Sequence, residues 1–521
     1  MLLADTFVTL YSGSATAEPF LQGTVWTLYP ANLENDIMQI LENIPELVME
    51  PFRNTEGEPV ADRYQDLNTN VELHEILQQN GGQRLGLAPT CVPSFWTMAA
   101  SDKLFVLNMR GIDALGSMAT DYHVSFVVQN AFDCKKGLAA IGVHQDVDSV
   151  HIQENILGKG NTTLPVTRLV PAFLENEQEL EKLNSIAWYE KLRGTQYLAL
   201  SPGFDVDVER FNCELEKIRG SEDMKAVFGN WVRALDTYGE HFPVNLVPAK
   251  ANTGRFSSEN PPMHGIPWYF RPALLAPQGK QIISADVHQA QPRILYALSQ
   301  DENFGKPFRE HRDFYKHMAA LFLNKRYDDM GDQERQQGKA LILPFLYGSG
   351  AKTLAQNLAQ IRNESPNIPW AEIQLQHLEG RFPILAQWTG KLKRDDQYVV
   401  DLESEDYQGL RTPSGRVIRY EKKDLKNVRC YMAQGVEAEI MVDAILLFRE
   451  RLKDKGLQDT CLLNFVHDEL LVCTTAEEAS KAGSLLKDCL EQAFREYLHT
   501  PDIMYNLIEL SEPASCWGDL K

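Results

Sequence analysis

Residues 462–473 read Leu-Leu-Asn-Phe-Val-His-Asp-Glu-Leu-Leu-Val-Cys. Two apolar runs, Leu462–Val466 and Leu470–Cys473, flank the short polar break His467-Asp468-Glu469. Such a connection predicts a β-hairpin with acids at its tip. Upstream, Gln281–Ala285 reads as a buried strand ending at Asp286. If that strand and the hairpin are neighbours in one sheet, two or three carboxylates converge at one edge. Oxygen donors of this kind suit hard divalent cations. Two such ions can activate a hydroxyl and stabilise a leaving oxyanion in phosphoryl transfer. Any one of these acids taken alone reads as an ordinary solvated turn residue.

Working outward, Pro292–Ser299 and Asp313–Leu323 read as helices, and Gln333–Tyr347 as a third. On that third helix Arg335, Lys339, Leu343 and Tyr347 lie four apart, which places them on one slanted stripe. Two cations followed by an aromatic ring suit a triphosphate at one end and a stacked base at the other. Pro344 removes a backbone donor and predicts a kink near residue 340. The loop Asn252–Pro267 is rich in Gly, Ser, Asn and Pro. Within it Thr253-Gly254-Arg255-Phe256-Ser257-Ser258 supplies hydroxyls, a flexible Gly and an Arg, which suit a nucleic-acid backbone or minor-groove acceptors.

The chain has 521 residues, of which 44% are hydrophobic and 24% charged. This excludes a disordered or fibrous protein and suggests two or three domains. No apolar run approaches the roughly 18 residues of a membrane span, so no membrane association is expected. The first residues lack a basic n-region, so a secretory signal is not expected. The eight cysteines are scattered without a CxxC pair, which argues against a zinc site or disulfide framework and for a reducing cytoplasm. The formal charge of −21 argues by itself against a nucleic-acid partner. Its distribution is uneven. Residues 1–200 hold 12 basic against 25 acidic side chains, whereas residues 251–430 hold 25 against 21. The middle section therefore has the charge to form a basic groove. Between residues 60 and 160, apolar runs such as Lys103–Met109 and His123–Gln129 alternate with helical patches, which suggests α/β. Glu175–Leu192 reads as one polar helix and Asp205–Ile218 as another.

Four segments in this order resemble the family A DNA polymerases, the bacterial DNA polymerase I family and its phage relatives. Thr253–Pro267 (TGRFSSENPPMHGIP) is similar to the family's TGRLSS-type loop, and Asp286–Asn303 (DVHQAQPRILYALSQDEN) to motif A. Arg335–Gly348 (RQQGKALILPFLYG) resembles motif B, and Val466–Leu470 (VHDEL) motif C. Arg411–Arg419 (RTPSGRVIR), Gln434-Gly435 and Trp517 are supporting matches. The resemblance covers roughly residues 190–521. It implies an α+β right-hand polymerase of palm, fingers and thumb, working on primer-template DNA and deoxynucleoside triphosphates with two Mg²⁺ ions, or Mn²⁺ in their place. It further implies that Asp286 and Asp468 hold the metals with Glu469 in support, and that Arg335 and Lys339 grip the triphosphate beside Tyr347. Thr253, Arg255, Gln434, Arg429, Arg416 and His467 are implied at the DNA or the primer end. The expected thumb is about 186–250, the palm about 251–300 and 400–521, and the fingers about 301–400.

Three departures fall on nucleotide selection. Gln291 stands where the family usually has a Glu similar to a steric gate against the ribose 2′-hydroxyl. Leu343 replaces an aromatic residue, and Pro344 a Gly. The stretch between Ile218 and Thr253 is short for a thumb, which predicts a weak grip on duplex and a need for a processivity partner. Residues 61–185 are expected to form a shortened ribonuclease H-like 3′–5′ exonuclease-type domain without activity. There Val127–Leu138 (VVQNAFDCKKGL) resembles the second exonuclease segment with Asn130 and Asp133, but Asp66-Leu67-Asn68 has Asn where the first segment requires Glu. An unrelated α/β domain is the alternative, and residues 1–60 have no assigned role. For the whole chain the alternatives are a single-subunit RNA polymerase-like enzyme, against which the HDE triplet at 467–469 argues, and a non-catalytic nucleic-acid-binding protein on the same fold.

Overall fold

The computed structural model describes residues 64–67, 70–89, 95–100, 103–108, 115–140, 143–159, 163–164 and 166–520. Residues 1–60 lie outside them. The described chain forms two compact units, one of residues up to 154 with 160–178, the other of 155–159 with 179 onward.

The first unit is a mixed sheet with helices. Its strands are β1 (Tyr64–Leu67), β2 (Arg84–Pro89), β3 (Phe95–Ala100), β4 (Lys103–Asn108), β5 (Ser125–Val128) and β6 (Asp148–Ser149), in the order β1-β4-β3-β2-β5-β6. β2, β3 and β4 form an antiparallel meander, and β5 and β6 run parallel to β2 and to each other. Leu85, Leu87, Met98 and Phe126 pack with Leu73 and Leu77 of helix α1 (Asn70–Gln79), Leu115 and Ala119 of α2 (Leu115–Asp121) and Leu138 of α3 (Ala131–Ala140).

This topology corrects one expectation. β1 adds in parallel to the β4 edge, with Asp66 opposite Val106. Three strands therefore stand between Asp66 and β5, at about 4.8 Å each, so Asp66 does not meet Asn130 and Asp133. The strand beside β5 is β2, whose sequence RLGLAP carries no acid. Asn130 is instead a helix cap. Its Oδ1 accepts from the backbone of Phe132 (3.1 Å), and its amide donates to Asp133 (2.7 Å). Satisfying the open amides of α3 accounts for Asn130, whose own side-chain amide is held by Asp133.

In the second unit the expected polar helix 175–192 is two helices. They are α4 (Val166–Lys182), which begins in the first unit, and α5 (Ile186–Gly194), broken where Asn184 takes a left-handed φ of 51°. β7 (Phe204–Val206) precedes α6 (Val208–Ile218), whose first turn is capped by the Asp207 carboxylate accepting from Arg210 N. After α7 (Lys225–Tyr238) come the short strands β8 (His241–Phe242), β9 (Leu246–Val247), β10 (Ser257–Ser258) and β11 (Leu274–Leu275). Phe211, Trp231, Phe242 and Phe270 pack their rings between these pieces.

The central sheet holds β12 (Gln281–Val287). Its apolar residues are buried on both faces, which explains the nearly continuous run Ile282-Ile283-Ser284-Ala285. Helices α8 (Ala290–Ser299), α9 (Glu302–Arg309), α10 (Phe314–Leu323), α11 (Asp332–Leu346), α12 (Ala351–Arg362), α13 (Ile368–Arg381) and α14 (Pro383–Leu392) follow. A small sheet of β13 (Val399–Val400), β14 (Tyr407–Arg411) and β15 (Val417–Glu421) leads to the long α15 (Val428–Asp454). Then come β16 (Cys461–Val466), β17 (Glu469–Thr474), α16 (Ala479–Leu498) and β18 (Ile508–Leu510). The central order is β16-β17-β12-β18, antiparallel throughout. Pro344 lies in the last turn of α11, which continues as one helix through it. Pro344 withholds the one amide that would bond the Ala340 carbonyl, and the helix closes three residues later at Tyr347.

Arg416 and Arg429, expected at DNA, are 5% and 7% exposed and hold the protein together instead. Arg416 donates to Glu439 (2.6 Å) and to the carbonyls of Thr253 (3.0 Å) and Gly435 (3.1 Å), while the Tyr497 hydroxyl donates to the other Glu439 oxygen. Arg429 donates to the carbonyls of Phe345 and Leu346, where α11 ends with open acceptors. Thr253 is also buried, at 2% exposure. Arg416→Met strands the buried Glu439 and should cost about 3–5 kcal/mol of stability. Urea unfolding checks this, and an unchanged midpoint refutes it.

Candidate active site

The site is built where β12, the β16–β17 hairpin and β18 end together. The hairpin closes through a two-residue turn, His467-Asp468, with Val466 paired to Glu469. His467 has φ 57° and Asp468 does not share the left-handed region, so the positive φ falls on the first central position only, as in a type II′ turn. Asp286 lies directly opposite Glu469 on one side and Glu509 of β18 on the other. The Val287 amide donates to the Asp468 carbonyl (3.0 Å), which carries the ladder into the turn. Directly opposed residues of a sheet project to one face with about 5 Å between Cβ atoms. Asp286, Glu469 and Glu509 therefore form a row of acids, with Asp468 at its end.

The electrostatics follow. Burial, and then the carboxylates of Asp468, Glu469 and Glu509, push the Asp286 carboxyl up to about 7, against the pull of Lys339. Burial also raises Asp468, with Arg255 and Lys339 opposing, and raises Glu469, with Arg271 opposing. Glu509 was not anticipated from sequence. It sits among apolar residues, Leu507-Ile508-Glu509-Leu510, and only strand pairing brings it to Asp286.

Helix α11 supplies the cations. Gly338, Leu341, Ile342 and Phe345 are buried, whereas Arg335, Leu343 and Tyr347 are half-buried and Lys339 is exposed. The expected stripe is thus one partly open face. Arg335 and Lys339 both lie over the Tyr315 ring, at 5.3 and 5.7 Å from its centre. Asp313 pairs with Arg335 (3.0 Å), receives the Gln289 amide (2.6 Å) and caps α10 by accepting from Lys316 N. Sequence reading gave Asp313 only as a helix start. His288, Asp313, Lys316, Tyr327, Arg335 and Glu509 line part of a cavity of about 600 Å³.

The loop before β12 completes the wall. Gly254 has φ 89°, and a Cβ there would lie 3.0 Å from both Arg416 and Trp188, so the turn requires glycine. It delivers Arg255, whose guanidinium grips both oxygens of the fully buried Glu437 on α15 (2.7 and 2.8 Å). Burial and then the same guanidinium lower the proton affinity of His467, and the guanidinium opposes the burial that raises Asp468 and Tyr347. Gln291, in the first turn of α8, faces Glu437. His264 lies 5.6 Å from His467 between ring centres, and burial depresses it to about 4. Asp286, Asp468, Glu469, Lys339, Arg255, His467, Gln291 and Tyr347 are therefore brought into one electrostatic neighbourhood. Gln434 is half-buried on α15.

Among the described residues no three His, Cys, Asp or Glu side chains form a ready ion cage. Two carboxylates with the remaining positions open do fit Mg²⁺, which keeps several waters or substrate oxygens rather than a full protein cage. The upward shift of Asp286 comes from burial and then from like charge, and the like-charge part is what a divalent cation relieves. No helix among the described residues is long and apolar enough to cross a membrane.

The architecture is that of a polymerase domain. The POL domain of Pol1 from M. smegmatis, solved in complex with DNA primer-template and dNTP, matches with a TM-score of 0.70 at 16% identity, over 88% of this chain and 100% of that one. The sequence pattern of DNA polymerase family A matches residues 241–501, half of the chain, and the protein belongs to that family. It is 25% identical over 295 residues to DNA polymerase I of Aquifex aeolicus, covering 57% of this chain and 49% of that protein. It is 27% identical over 263 residues to the thermostable DNA polymerase I of Thermus aquaticus, covering 46% and 29%. The chain thus spans about half the length of the first relative and less of the second.

The raised Asp286 sets a pH response. The folded protein keeps a proton that the unfolded chain releases, so stability falls as pH rises from about 4 to about 7. Melting temperature in EDTA should decline over that range, and Mg²⁺ should restore it near about pH 8 far more than near about pH 5. An equal metal response at both pH values refutes this.

Proposed function

We propose that this protein extends the 3′ end of a primer on a DNA template with deoxynucleoside triphosphates. The observation that carries this reading is that Lys339, on the same helix face as Arg335, acts on both Asp286 and Asp468, the acids at the end of β12 and in the hairpin turn. Membership of the family supports it. Asp286 and Asp468 would hold Mg²⁺, or Mn²⁺ in its place, which supplies charge stabilisation for an in-line phosphoryl transfer. Glu469 adds negative charge beside them. Arg335 and Lys339 bind the triphosphate, and Asp313 holds the Arg335 fork in position for it. Tyr347 closes the end of the stripe against the new base pair, next to Leu343. Arg255, Gln434 and His467 serve the primer end or the minor groove. Its acceptors are nearly alike for all base pairs, so pair shape can be checked without reading sequence.

In this reading the palm is about 251–300 and 400–521, the fingers about 301–400 and the thumb about 186–250. The short α6–α7 segment implies a weak grip on duplex and a processivity partner. The working place is the cytoplasm. Residues 61–185 are an exonuclease-like domain without exonuclease activity. The meander β2–β3–β4 with β5 and β6 parallel to β2 supports the ribonuclease H-like part of that reading. The acid-free β2 and the capping role of Asn130 support the loss of activity.

Primer extension on a defined template tests the proposal. Asp468→Ala should abolish incorporation while DNA binding persists, and full incorporation by that variant refutes the site. Lys339→Ala should raise the nucleotide KM by about 10–100-fold, the scale of a lost charged phosphate contact, with DNA affinity nearly unchanged. Single-stranded DNA should survive incubation with Mg²⁺ or Mn²⁺, and degradation abolished by Asp133→Ala would overturn the inactive-domain reading.

A further inference from the structure

Glu437 is the buried acid that the polymerase reading leaves without a task. It lies at 0% exposure in the first half of α15. A carboxylate there is costly unless paired, and its partner is Arg255 at 2.7 and 2.8 Å. The Gln291 side chain faces the same carboxylate. Position 291 is where the resembled family carries Glu, and here the carboxylate next to that position comes from α15. Two neighbouring atoms point to a use beyond packing. Arg255 Nε and Gln291 Oε1 are buried without a hydrogen-bond partner, although native proteins rarely leave such atoms unsatisfied. One donor and one acceptor are thus unspent beside Asp468, His467 and Tyr347, whose charges or proton affinities Arg255 already affects.

We propose that Glu437 is a positioning residue for nucleotide selection: it takes the place of the carboxylate missing at 291, fixes Arg255 beside the hairpin turn, and with Gln291 sets the wall that tells deoxyribose from ribose. The inference rests on the polymerase reading of the site. A carboxylate moved across a contact has a signature that a simple buried ion pair lacks, because the charge can be moved back. Gln291→Glu alone sets two acids against each other. Glu437→Gln alone leaves Arg255 buried without its counter-charge. The double variant Gln291→Glu/Glu437→Gln restores one acid and one base.

The experiment measures single-nucleotide incorporation, with deoxy- and ribonucleoside triphosphates separately, by the full chain and these three variants, alongside melting temperature. Each single variant should lose about ten-fold or more in kcat/KM for the deoxynucleotide, and Glu437→Gln should raise the ribo-to-deoxy ratio by about ten-fold. The double variant should return to within about three-fold of the original on both measures, the non-additivity expected of groups in contact. Should Glu437→Gln fail to fold, the double variant still decides. Recovery of fold and of selectivity supports the assignment, and failure of either overturns it. A melting-temperature change with an unaltered ribo-to-deoxy ratio also overturns it and leaves a purely structural pair. If the unsubstituted protein extends primers while the exchange does not rescue, only the Glu437 assignment fails. If the unsubstituted protein extends nothing, the polymerase reading fails with it.

Discussion

Like-charge crowding at the end of β12 is the constraint around which the second unit is arranged. Asp286 is flanked in register by Glu469 and Glu509, with Asp468 in the adjoining turn. Opposed like charges destabilise a sheet, and half-burial makes the repulsion stronger than in water. Such a row persists only because the rest of the fold over-determines it. Ile282, Ile283, Ala285 and Val287 are buried to within a few per cent, and β12 is hydrogen-bonded on both sides. The strand cannot shift to relieve its terminal acid without exposing that core.

Compensation comes from elements far apart in the chain. Lys339 on α11, and Arg255 and Arg271 in the stretch before β12, each act on one or more of the acids. Lys339 is exposed and leans on the Tyr315 ring, whereas Arg271 lies over Trp517. Arg335 is tied to Asp313 and Arg255 to Glu437. Deeper still, Arg416 locks Glu439 and the carbonyl of Thr253, which fixes the base of the loop that presents Arg255. Arg429 holds the end of α11, which fixes Tyr347. The buried arginines thus serve the site indirectly, by holding the segments that reach it.

The legible parts were those set by local pattern. The short break at 467–469 between two apolar runs could only be a tight hairpin, and four-residue spacing put Arg335, Lys339, Leu343 and Tyr347 on one face. The errors arose where a residue's meaning depends on its partner. Arg416 and Arg429 look like surface cations because nothing in a linear sequence shows Glu439 or the open carbonyls of α11. The helix expected over 175–192 breaks at Asn184, a residue that tolerates left-handed backbone. Asp66 and Asn130 seemed to belong together by order along the chain, but a strand added at the β4 edge separates them.

The sequence by itself determined the periodic elements, the acids at the ends of β12 and the hairpin, the cationic stripe and the family, because each rests on residue type and spacing within one segment. Tertiary structure alone decided that Glu509 joins the acids, that Asp313 holds Arg335, and that Glu437 is the carboxylate facing Arg255. Those outcomes depend on strand order and on which helix covers which strand. Burial then sets whether a charge must find a partner, and burial exists only once the chain is folded.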